Sequence, residues 1–240
     1  SEMLDLNLVS PAVSLTLIIE KAKAGEIEKA LRLLERFDGQ LPQLFSLSIK
    51  GWLLAKLGES KAAFDQFQLI KKLGLVFDLG SFYQSILLAQ QGEYSKALKM
   101  VTEDEANMNV LGTSFNLFKL NLQKLSLSGP FDINSEKKTK TKFFTELTQR
   151  YLQLQLSSSE TASLKLFMDP YDGLADTLLL FSEGNGKDYN PGLVKIFYCR
   201  LASEISKNGG RFNIRLAQAL AEASQPQKAM ESLKLVKETD

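Results

Sequence analysis

Three short stretches, GEIEKA at 25–30, GESKAA at 58–63 and GEYSKA at 92–97, recur with their glycines 33 and then 34 residues apart. The alanines Ala30, Ala63 and Ala97 keep the same spacing. No other feature constrains the chain as much. A unit of this length holds one pair of helices, which cannot bury its apolar face alone and must stack on its neighbours. The flanking residues agree with a helix pair. SLTLIIEKAKAG, SIKGWLLAKLG and SFYQSILLAQQG, before each glycine, carry apolar residues at three- and four-residue spacings, as do EIEKALRLLERF, ESKAAFDQFQLIKKL and EYSKALKMV after it. Alternating strand patterns and Asn-Gly or Asp-Gly hairpins do not occur. Each unit reads as helix, glycine turn, helix, with glycine where a left-handed conformation ends the first helix. The alanine lets the two helices approach closely.

These residues resemble the tetratricopeptide repeat family. The match rests on Gly25, Ile27, Ala30 and the closing proline Pro42; on Gly51, Leu54, Gly58, Ala63 and Phe67; and on Ser85, Leu88, Gly92, Tyr94 and Ala97. Lys50 stands where that family usually has an apolar residue, and Pro42 has no counterpart in the next two units. Near the other end, Leu216, Ala217, Leu220, Ala229 and Leu233 return at the family's offsets, with Ser224 in place of the turn glycine. Ala229 follows Ala97 by 132 residues, four periods of 33, and Ala162 falls near the midpoint. The resemblance implies an all-α, right-handed α-solenoid of helix-turn-helix repeats, roughly 12 to 14 helices. Residues 1–127 are expected to form the N-terminal repeats and 128–142 a polar loop. Residues 143–240 are expected as divergent helical repeats continuous with the first array, with a second irregular stretch at 183–192.

Chemistry is sparse. The 240 residues include no histidine and one cysteine, Cys199, with 29 basic against 28 acidic side chains. Without histidine there is no Ser-His or Cys-His pair and little prospect of zinc. The near-zero net charge of +1 does not mark a nucleic-acid binder. EGNGKD lacks the spacing and Ser/Thr of a phosphate loop, SEKK lies in a polar loop that could not desolvate its lysine, and DPYDG lacks calcium-ligand spacing. Lys137, Lys138, Lys140 and Lys142 read as a solvated loop. The apolar run VSPAVSLTLII stops at Glu20 and Lys21, short of a spanning helix, with Ser10 and Pro11 as its N-cap and first helical residue. The expectation is no catalytic residue, no cofactor, no metal and no membrane insertion. The cytoplasm is the default compartment, with a bacterial periplasm as the alternative.

In tetratricopeptide proteins the first helix of each unit lines a concave groove. That resemblance turns the side chains 13, 10, 6 and 3 residues before each turn glycine inward. They are Ala12, Leu15, Ile19 and Ala22; Phe45, Ser48, Trp52 and Ala55; and Leu79, Phe82, Ile86 and Ala89. Leu15, Ile19, Phe45, Ser48, Trp52, Phe82 and Ile86 are the candidate peptide-binding residues. An apolar, aromatic groove suits an amphipathic helix or apolar peptide. The expected function is therefore a non-catalytic protein-interaction scaffold, with homo-oligomerisation through the repeat faces as the alternative. The same face could instead be covered by the terminal helix, by a helix over 137–156, or by a second copy.

Overall fold

A computed structural model describes residues 10–37, 39–73, 79–103, 169–184, 191–206 and 210–236. These residues contain ten helices and no strand: α1 Pro11–Lys23, α2 Ile27–Arg36, α3 Gln43–Lys56, α4 Ser60–Lys71, α5 Leu79–Gln90, α6 Tyr94–Glu103, α7 Pro170–Gly184, α8 Pro191–Ile205, α9 Gly210–Glu222 and α10 Pro226–Lys234. The polar loop expected at 128–142, its lysines, the 137–156 helix and Ala162 lie outside the described residues. The second irregular stretch is helical at both ends, since α7 runs to Gly184 and α8 begins at Pro191.

The repeated turn is built from local chemistry. Gly25, Gly58 and Gly92 have φ of 78°, 83° and 80°. After each, the next amide donates back to the carbonyl five residues earlier: Glu26 to Lys21, Glu59 to Leu54 and Glu93 to Leu88. This closure satisfies carbonyls that a helix end otherwise leaves open. Ser224 repeats it at φ 58°, with Gln225 donating to Leu220 at 2.8 Å, although it carries a Cβ. The fourth turn is thus the same device as the first three. Ser10 caps α1 by accepting from the Val13 amide at 3.4 Å, ahead of Pro11.

Packing follows the small residues. Ala30, Ala63 and Ala97 are fully buried where second helices meet first helices. A Cβ at Gly51 would stand 2.8 Å from Phe67 Cδ1, so glycine there admits the Phe67 ring between α3 and α4. A Cβ at Gly80 would stand 2.7 Å from the Lys71 amide nitrogen, which brings α5 against the α4 backbone. Buried Gln84 on α5 donates to the Phe64 carbonyl and to Gln68, both at 3.1 Å, so its desolvated amide stays satisfied.

Helices α7 to α10 also pack in sequence, but the second half returns to the first: α7 lies against α3, and α8 against α1. One core joins Leu15, Phe45, Trp52 and Tyr83 with Leu174, Ala175 and Leu178, and a smaller one gathers Cys199, Leu216, Leu220 and Ala229. Among the described residues no helix is long and apolar enough to cross a membrane.

Candidate functional site: a groove filled from within

The seven candidate groove residues do come together. Leu15, Ile19, Phe45, Ser48, Trp52, Phe82 and Ile86 all lie on first helices, and all are buried. Of the wider set, Ala12 is exposed and Ala55 half-buried. The expectation of an open groove needs correction, because α7 of the same chain lies across α3 on this face. That helix is neither the terminal helix nor the 137–156 segment.

The seat of α7 is specific. Trp52 is 1% exposed, with Phe67 and Tyr83 at centroid distances of 4.9 and 5.1 Å. Gly173 of α7 presses its backbone against the indole, where a Cβ would come within 2.6 Å of Cδ2. One turn on, the Thr177 hydroxyl meets the Tyr83 hydroxyl at 2.8 Å. Burial is the main reason the Tyr83 phenol is pushed well above its ordinary range. Phe181 packs on Phe45 at 4.1 Å, and Tyr198 of α8 reaches the same ring edge-on at 5.7 Å.

The start of α7 is held by charge. Asp169 accepts from the Tyr171 amide at 3.0 Å and pairs with Lys56 through both oxygens at 2.9 Å. The Lys56 ammonium also lies 4.2 Å from the centre of the Tyr171 ring. Tyr171 donates to the Ala22 carbonyl, and burial, then the Asp169 charge, raises its phenol. Buried Asp172 accepts from Ser206 after α8. DPYDG, which lacks calcium-ligand spacing, is therefore the capped start of a helix.

Burying Leu174 and Leu178 completely contributes about 1.5–3 kcal/mol each, before the aromatic contacts are counted. A partner peptide would have to offset that before reaching Trp52. One sequence signal pointed this way. Helix α5, LGSFYQSILLAQ, has no charged residue, and a helix without a polar face is covered on all sides.

Elsewhere, chemistry is limited. A shallow groove of about 420 Å³ between α1 and α2 is lined by Lys21, Lys29, Arg32, Leu33 and Arg36. Two carboxylates offset half of its charge: Glu26 takes Lys29 at 3.0 Å and Lys21 at 3.1 Å, and Glu28 takes Arg32. Those two lysines, Lys29 foremost, hold the Glu26 carboxyl below its usual range. Cys199 is buried, as a small apolar side chain would be. Among the described residues no cluster of three or more His, Cys, Asp or Glu could hold a metal.

Large apolar side chains remain exposed at the other end of the molecule. Met230 and Leu233, one turn apart on α10, are 63% and 48% exposed; Leu235 and Ile214 of the α9–α10 unit are exposed too, as are Val13, Leu57, Leu69 and Leu193 elsewhere. Exposed apolar side chains one turn apart on a helix make α10 a candidate contact face. Comparison with known proteins finds no matching family model, no similar curated protein and no similar solved structure.

Proposed function

We propose that this protein is a non-catalytic interaction scaffold of tetratricopeptide-like repeats, arranged as a right-handed solenoid, that takes up an amphipathic helix from another protein chain within a multiprotein assembly. The observation that carries the reading is the exposure of Met230 and Leu233 at an otherwise regular repeat. Phe45 and Trp52, the aromatic anchors of α3, are already engaged by Phe181 and Gly173 of α7, so the docking surface is assigned to α10 and not to Trp52. A preformed helical face loses little conformational freedom on binding, which favours association through a few apolar anchors.

The test is an affinity capture from the native host's lysate with the parent and with Met230→Glu/Leu233→Glu in parallel. A protein retained by the parent and lost by the variant, with helical content and melting unchanged, supports the α10 surface. Equal capture by both overturns it. Self-assembly is the second reading, favoured by the relation between the two ends of the array.

A further inference from the structure

The α10 surface is half of an interface that the chain already makes twice within itself. Counting from the small alanine of each second helix, the fourth residue onward is Leu34 on α2, Phe67 on α4, Val101 on α6 and Leu233 on α10. Leu34, Phe67 and Val101 are 4%, 0% and 0% exposed; α3 packs on α2, and Phe67 is held between Trp52 of α3 and Tyr83 of α5. Leu233 is half exposed, and no described helix follows α10. By position this face corresponds to the one on which the first helices α3 and α5 sit in the earlier units.

The chain's other end offers a first helix. Counting back from the turn glycine, α3 and α5 touch the preceding helix through fixed positions. Eight residues back, Lys50 of α3 pairs with Glu35 of α2 at 3.1 Å, and Gln84 of α5 binds Gln68 of α4. Twelve residues back on α5 is Gly80, set against the α4 backbone. In α1 these two positions are Leu17 and Val13, and Val13 is 50% exposed. No described helix precedes α1, and at Leu17 its face is apolar where the inner helices use a lysine or an amide.

We propose that copies of this chain associate head to tail, with α1 of one copy packing on α10 of the next and continuing the α2–α3 and α4–α5 interface across the molecular boundary. This rests on the scaffold reading and names the occupant of its surface as a second copy. The contact is heterologous, so it propagates into a ring or an open filament unless one end is blocked.

Two variants test it. Leu233→Lys blocks the α10 end, and a cation in the last turn suits the helix dipole. Val13→Glu blocks the α1 end at the third helical position, where Glu completes a capping box with Ser10. Both are expected to fold with unchanged circular dichroism. In light scattering over a hundredfold concentration range the parent should gain mass with concentration. Each variant alone should stay at monomer mass, and their equimolar mixture should double it, since the mixture retains one intact α1 and one intact α10.

A parent that stays monomeric throughout overturns the proposal. Self-association of Val13→Glu alone also overturns it, because that result means α10 pairs with α10. If the parent is monomeric but Met230→Glu/Leu233→Glu still loses a captured protein, the second-copy assignment fails while the scaffold reading stands.

Discussion

Gly173→Ala tests the placement of α7 by the sign of its effect. In the interior of a helix exposed to solvent, alanine in place of glycine stabilises by about 0.5–1 kcal/mol. Here the new methyl would stand 2.5 Å from Trp52 Cζ2 and 2.6 Å from Cδ2. Carbon atoms rest at about 3.5–4.0 Å, so α7 or the indole must retreat by roughly 1 Å. The indole is fixed by Phe67 and Tyr83 on its other sides. Retreat of α7 would stretch the 2.8 Å Tyr83–Thr177 hydrogen bond, worth about 1 kcal/mol net. Overpacking of this kind costs about 1–3 kcal/mol. Adding the stretched bond and subtracting the propensity gain leaves a net loss of about 1–3 kcal/mol. At a urea slope of about 2–3 kcal/mol/M, the unfolding midpoint should fall by about 0.3–1.5 M. Trp52 is the single tryptophan, so its emission reports the same site directly. A Trp52→Phe background should recover most of the loss by opening space beneath residue 173. A midpoint that rises on Gly173→Ala would refute the packing of α7 on Trp52, because only the helix-propensity term would then remain.

Three other perturbations follow from the same contacts. Burial raises the Tyr83 phenol above its ordinary value of 10.0, so the unfolded chain releases this proton first as pH rises. The stability contributed by the neutral phenol is complete below pH 10 and declines above it. Urea midpoints at pH 8 and pH 11 should therefore differ less in Tyr83→Phe than in the parent, and an equal fall in both would count against a buried, neutral Tyr83. Asp169→Ala removes the cap of α7 and the Lys56 pair, and should cost about 1–2 kcal/mol in thermal melts, with Asp169→Asn recovering part through the retained cap; no loss in either would mean that the start of α7 is not held there. Ser224→Gly relieves a left-handed residue bearing a Cβ, a strain of about 1–2 kcal/mol, against about 0.5–1 kcal/mol of added freedom in the unfolded chain. A small rise in melting temperature is expected, and a fall would contradict the glycine-like turn at that position.

Much of the local structure was legible because its causes are local. The glycine spacing located the first three turns, and the phase of Ala229 located the fourth even though serine occupies it, since turn closure depends on residues within one helical turn. Ser10 and Pro11 announced the start of α1 by the same kind of short-range chemistry. The apolar character of the inner face was legible too, down to Phe45, Trp52 and Phe82. Its accessibility was not.

Asp169 and Lys56 are 113 residues apart, as are Tyr83 and Thr177 by 94, and no periodicity relates them. PYDGLADTLLLF reads from sequence as one more amphipathic helix. That it closes the groove depends on a glycine without a Cβ meeting an indole and a threonine meeting a buried phenol. The sequence by itself determined the repeat unit, its turns and the chemistry of the inner face, because those follow from spacing along one helix pair. Only the tertiary structure decided that α7 covers Phe45 and Trp52 on α3 and that Leu233 and Val13 stay half exposed, because burial depends on which distant helix arrives to exclude water.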